Sequence, residues 1–192
     1  MKTMTRVRLE LNRLKINRPK KRWRIYFVIV AEHPEDADKM VLTVIPNDPI
    51  RMVPSQENVV DFGGDGEGRE GLLLLRREMP LHRELNVHCY VRHSRSDVRD
   101  IGEILSDIQT GIGADAVGLV ENILGTTNIW LAIVKSALPL VGNVLRKIRD
   151  RDMGFISMFE RFGPEFEQEE EIDLEKTGGH STVVYSWSVD EE

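Results

Sequence analysis

Polar and apolar residues alternate along most of the first half of the chain. Leu85, Val87, Cys89 and Val91 are offset by one from Asn86, His88, Tyr90 and Arg92. That period of two predicts a strand with one buried face. Val7, Leu9 and Leu11 give the same pattern from Arg6, and Leu14 and Ile16 resume it out of phase after Arg13, which predicts a β-bulge. Asn17 to Arg22 (NRPKKR) reads as a turn. Trp23 to Ala31 is apolar at nearly every position and too short to span a bilayer as a helix, so a central strand is expected there. Met40 to Ile45 predicts a third strand, ended by Pro46, Asn47 and Pro49. Shorter strands are expected at Ile50 to Val53, Asn58 to Phe62 and Leu72 to Arg76, with the glycine-rich run Phe62 to Gly68 between the last two. Near the C-terminus, Phe155 to Phe159 and the alternating series Val183, Tyr185, Trp187 and Val189 predict strands, and the acid-rich Glu169 to Lys176 an exposed edge strand.

The period changes after His93. Val98, Ile101, Ile104, Leu105 and Ile108 recur at helical spacing behind Ser96 and Asp97, either of which can cap a helix. Gly111 and Gly113, then Gly125 to Thr127, divide this region into three expected helices: one to Gln109, one from Ala114 to Leu124 and one from Asn128 to Arg149. The third is apolar around most of its circumference, so it needs cover from protein or lipid. The order of strands first and helices later predicts a mainly β fold, an antiparallel β-sandwich with an inserted helical segment. A single domain over 1–192 is expected, with the sandwich at 1–95 and 154–192 and the helical insertion at 96–149.

With 41% hydrophobic residues the chain can bury a sizeable core, and its net charge of -6 conceals an asymmetry. Cations crowd the stretch from Lys2 to Arg24, where Glu10 is the single acid, whereas Glu165 to Glu175 is almost wholly acidic. Lys15, Arg18, Lys20, Lys21, Arg22 and Arg24, with Trp23 at the edge, form a candidate patch for an anionic surface. The alternative is that these charges occupy the solvent faces of strands and partly neutralise one another. A protein partner or anionic lipid is expected, and not nucleic acid. Cys89 is the lone cysteine, which excludes an internal disulfide framework. The charged stretch from Met1 to Arg24 contains no apolar signal-peptide core, so a cytoplasmic location, peripheral at a membrane, is expected.

Candidate chemistry is sparse. Asp61, Asp65 and Glu67 lie in a glycine-rich loop, where calcium would find oxygen ligands, although glycine with aspartate is also ordinary turn chemistry. The five histidines are scattered, and neither HExxH nor paired CxxC elements occur. Nucleophile-elbow, phosphate-loop and dinucleotide-binding glycine patterns are also missing. A metal-dependent hydrolase would have to use Asp61, Asp65 and His88. The apolar stretch 128–145 offers a second alternative, a toxin-like or stress protein that inserts a helix into a bilayer, with Lys135 near its middle and Pro139 interrupting it.

Leu85 to Gly102, a strand followed by a polar loop and then Asp100, Ile101 and Gly102, resembles the C-two domain, a β-sandwich family that binds calcium and phospholipid. Trp23 to Ile45 is similar to the front half of that fold. The resemblance covers roughly the first half and Ser181 to Val189 and leaves Gln109 to Arg149 unmatched. Arg92 and Ser94 stand where that family places two aspartates, and Asp97 alone corresponds to the later acid. The resemblance therefore implies a domain that has lost at least part of its calcium site and works by protein or lipid contact. The expected function is a non-enzymatic interaction module without a cofactor.

Overall fold

The computed structural model describes residues 5–18, 22–52, 57–63, 71–95, 101–113, 117–121, 129–163, 166 and 173–191. Its elements are β1 (Thr5–Ile16), β2 (Trp23–Glu32), β3 (Lys39–Met52), β4 (Val59–Asp61), β5 (Leu72–Glu78), β6 (Glu84–His93), α1 (Ile101–Ile112), β7 (Val117–Glu121), β8 (Ile129–Val134), α2 (Leu138–Lys147), β9 (Arg151–Arg161), β10 (Leu174–Gly178) and β11 (Ser181–Glu191). They form two antiparallel sheets. The first runs β10-β11-β1-β4, with β5 also on β1, and the second runs β7-β8-β3-β2-β6-β9. The mainly β, sandwich-like class expected from the alternation is the one observed.

Burial explains the patterns. Val7, Leu9, Leu11, Val183, Tyr185 and Trp187 of the first sheet meet Ile25, Phe27, Ile29, Val87, Cys89 and Val91 of the second in one core. The other face of the second sheet is covered too. There Tyr26, Val28, Val30, Leu42, Val44 and Ile133 pack under Ile104, Leu105 and Ile108 of α1 and Val141, Val144 and Leu145 of α2. With a layer on each side, β2 has no solvent face, hence its unbroken apolar run. The expected bulge in β1 lies between Leu11 and Arg13. It turns Leu11 and Leu14 to the same core and leaves the carbonyl of Asn12 to accept the N–H of Phe62 at 2.7 Å.

Three expectations are corrected. Strand β3 continues through Pro46 and Pro49 to Met52, because both prolines fall in the irregularity between Ile45 and Ile50, where no ladder donor is required. The predicted helix from Asn128 is a strand, a short 3-10 turn (Lys135–Ala137) and then α2. Ile129–Val134 is apolar throughout because Trp130 enters the sandwich core while Leu131 and Ile133 lie under the helices, a burial that periodicity alone cannot tell from a helix. Pro139 opens α2 in its first turn, where its missing N–H costs nothing. Within the predicted helix from Ala114, Val117–Glu121 is likewise a strand, paired with β8. The insertion is thus a helix, a hairpin that widens the second sheet, and another helix. Ser96 and Asp97 lie outside the described residues, as does 169–172 of the expected edge strand; β10 does form an edge of the first sheet.

The two sheets touch backbone to backbone where β9 meets the β10–β11 turn. Met153 accepts the N–H of His180 at 2.7 Å and the hydroxyl of Ser181 at 3.1 Å. A Cβ on Gly154 would overlap the carbonyl of Gly178, and a Cβ on Gly178 would overlap that of Phe155. Gly154→Ala should therefore destabilise the chain by about 1–3 kcal/mol in urea unfolding, as forced overpacking does. Gly142→Ala in α2 should do the opposite by roughly 0.5–1 kcal/mol, through helix propensity. Its Cβ would meet only the Tyr90 ring, at an ordinary 3.8 Å.

Candidate functional site

Antiparallel register brings arginines from separate strands to one end of the second sheet. Arg24 at the start of β2 faces Arg51 at the end of β3, Ile25 pairs with His93, and His93 pairs with Arg151. The N–H of Ser94 bonds to the carbonyl of Arg24 at 2.9 Å, which carries the exposed Arg95 to the same place. The β1–β2 connection adds Arg18, half-buried, and Arg22, exposed, whereas Lys15, also exposed, is on β1 and lines a hollow with Arg13 and Glu175 on the outer face of the first sheet. Lys20 and Lys21 lie outside the described residues. Trp23 does not border this surface as expected: it is buried in the sandwich core, edge-on to His93 with ring centroids 5.1 Å apart.

Other N-terminal cations meet acids on the outer face of the first sheet. Arg8 pairs with Glu10 and approaches Asp190 at 3.9 Å, Arg76 approaches Asp190 at 3.7 Å, and Arg13 lies 3.9 Å from Glu175. The basic segment is therefore divided between the outer face of the first sheet and an arginine-rich end. At the opposite end of β2, Glu32, Glu35, Asp36 and Asp38 gather in one turn, with Lys39 bound to Asp36 at 2.9 Å.

A buried polar network underlies the arginine-rich end. The Arg92 guanidinium, 1% exposed, donates to the carbonyls of Leu145 at 2.5 Å and Asp150 at 2.8 Å. The carboxylate of Asp150 accepts the Tyr26 hydroxyl at 2.8 Å and the N–H of Arg95 at 3.1 Å. Burial, reinforced by the Asp150 carboxylate, raises the Tyr26 pKa well above its usual value, so the phenol stays a donor. Arg92 also satisfies a late carbonyl of α2, where a cation complements the helix dipole. Beside the network an open cleft of about 790 Å³ lies between α1 and the end of α2, lined by both signs of charge, including Arg95, Lys147, Arg149, Glu103 and Asp107.

No family model matches the chain. No curated protein matches it either. Similar solved structures include Drosophila C2-DSL-EGF1, with a TM-score of 0.41 and 6% identity over 96% of this chain and 67% of that one. Another is human GIVD cytosolic phospholipase A2 in complex with methyl gamma-linolenyl fluorophosphonate, with a TM-score of 0.36 and 6% identity over 99% of this chain. The chain spans 17% of that phospholipase. The mainly β class rests on the two sheets themselves.

Among the described residues the alternative metal sites do not assemble. Asp61 lies opposite Arg13 at the edge of the first sheet, whereas His88 lies on the outer face of the second, so the hydrolase pair is on opposite sides of the sandwich. Asp65 and Glu67 lie outside the described residues, among which no three potential metal ligands converge. Burial pushes the Cys89 thiol up to about 12, leaving it un-ionised and unsuited to nucleophilic chemistry. His33 caps a turn by accepting the N–H groups of Glu35 and Asp36, each at 3.1 Å. The bilayer-inserting reading loses its element, since 129–134 is a strand and no described helix is long and apolar enough to cross a membrane.

The residues missed from the sequence, Arg51, Arg95 and Arg151, carry no local signal. Strand register joins Arg51 and Arg151 to Arg24, and the Ser94-to-Arg24 backbone bond joins Arg95.

Asp150→Ala should cost about 1–3 kcal/mol, because the Tyr26 hydroxyl and the Arg95 N–H lose their acceptor. Denaturant midpoints would measure it. Burial lowers the pKa of His88, and mainly burial lowers that of His33, so the unfolded chain binds protons more readily than the folded one. Stability should fall as pH drops through the ordinary histidine range, about 6.5, and level off below the lowered values. His88→Gln should flatten part of that slope in thermal melts at a series of pH values.

Proposed function

We propose that the chain is a non-enzymatic interaction module whose arginine-rich end holds an anionic membrane surface, working in the cytoplasm as a peripheral protein. One observation carries the reading: Arg24 and Arg51 of neighbouring strands, Arg18 and Arg22 of the β1–β2 connection and Arg95 beyond β6 share one end of the body. Guanidinium groups match phosphate oxygens in pairs, and each cation near an anionic bilayer contributes about 1 kcal/mol at modest salt. The net charge of -6 and the acidic turn at the opposite end of β2 favour a defined orientation.

The C-two-like reading of the sandwich fits a membrane role but not a calcium-dependent one. Arg92, at the position of a family aspartate, is buried and committed to two carbonyls. Attachment should therefore be independent of calcium. A protein partner with an acidic surface is the alternative for the same end.

Co-sedimentation with phosphatidylserine vesicles should show binding at low salt that weakens at high salt, persists with a calcium chelator and is absent on pure phosphatidylcholine. Arg22→Glu with Arg51→Glu should reduce it by about tenfold or more. Salt-independent binding, or none, would remove the reading.

A further inference from the structure

The outer face of the second sheet is covered by helices along β8, β3 and β2, but the cover stops at β6. Gly142 of α2 lies over the Tyr90 ring, and beyond it no described helix covers the face as it continues onto β9. Register lays out this strip in pairs: Tyr90 opposite Phe155, His88 opposite Ser157, Asn86 opposite Phe159 and Glu84 opposite Arg161. The last pair is an ion pair, with Arg161 Nε 2.7 Å from Glu84. Phe155 and Phe159 are 47% and 49% exposed, so two aromatic rings stand half in water on one face. Phe155 is held in place by His88, with centroids 5.5 Å apart and stacked, and by Tyr90 at 4.9 Å.

We propose that this strip docks an amphipathic helix of a partner protein, whose apolar stripe is flanked by acidic residues. The dimensions fit a helix. A helix with its side chains is about 10–12 Å across, and with Tyr90 already beside α2 one more helix would lie over the edge strand β9 and the His88–Asn86 part of β6, alongside α2. Phe155 and Phe159 are about 13 Å apart along the strand, roughly nine residues of helix. The site continues an interface the fold already uses, since α1 and α2 pack on this same face.

Charge at the edges defines the partner. Arg146, anchored to the carbonyl of Gly142 at 3.2 Å and to Asn143 at 3.0 Å, stands on the α2 side near Tyr90. Lys176 of β10 reaches the carbonyl of Ser157 at 2.8 Å from the other side. Of the nearby acids, Glu84 is paired with Arg161 and Asp152 faces Arg92 at 4.0 Å. A helix with acids on both flanks of its apolar stripe answers both cationic edges.

The test displays a library of helical peptides against the full chain and measures the enriched peptides by fluorescence anisotropy. Enriched peptides should carry apolar residues at i, i+3 or i+4, and i+7, with Glu or Asp beside them. Phe155→Ser with Phe159→Ser should weaken binding by about tenfold or more, with thermal melts confirming the fold. Arg146→Glu with Lys176→Glu should shift the enriched peptides to basic flanks. Arg22→Glu with Arg51→Glu should leave peptide binding intact, which separates this strip from the membrane-binding end. The proposal is overturned if no helical peptide is enriched, or if the double serine variant binds equally well. It is also overturned if the wild-type chain is a dimer that the serine variant dissociates, or if the two phenylalanines are needed for vesicle binding instead.

Discussion

Because β2 is apolar on both faces, the second sheet has to be covered twice. The first sheet supplies one cover through Val7, Leu9, Leu11 and Trp187, and α1 and α2 supply the other. Each large side chain left in water would forfeit about 1.5–3 kcal/mol of burial, so Val28, Val30, Leu42 and Val44 cannot be left bare cheaply. This explains an odd feature of the connectivity. β6 and β9 are neighbours in the sheet, yet the chain between them leaves, builds two helices and a hairpin, and returns. That excursion supplies the missing layer.

The return is fixed chemically. Arg92 stands where the excursion begins and Asp150 where it ends, and the two are tied by the guanidinium-to-carbonyl bond and by the Arg95 N–H to the Asp150 carboxylate. Tyr26 joins them from β2. This deeply buried charge is held through one nitrogen, Nη2, which meets two carbonyls that a helix end and a turn would otherwise leave unsatisfied, while Nε is buried without a hydrogen-bond partner. The same neck carries Arg95 and Arg151 to the arginine-rich end, so one junction positions both the helical cover and part of the candidate recognition surface.

The strands with a single buried face were legible because alternation reports one-sided burial directly, as with Val87 and Cys89 against His88 and Tyr90; β11 alternates in sequence too, although Val184 and Ser186 on its second face are also buried. Ile129–Val134 was misread for the converse reason. A strand buried on both sides loses its period, and its apolar run merged with that of α2 across Lys135. The candidate site was half legible. Arg18, Arg22 and Arg24 are contiguous enough to notice, whereas Arg51 and Arg151 meet them through pairings that no window of sequence contains. Trp23 misled because its neighbours are charged, while its own place on the strand puts it inside.

The glycine contact between Gly154 and Gly178 bears on how the body responds to force and to change. Side chains can repack by rotating, but two peptide planes in contact have no such freedom, so this seam acts as a hinge pin rather than a cushion. Sequence drift can be absorbed across the aliphatic interior, where volume is exchangeable among many neighbours. At the seam it cannot, and variation there has to travel in pairs or not at all.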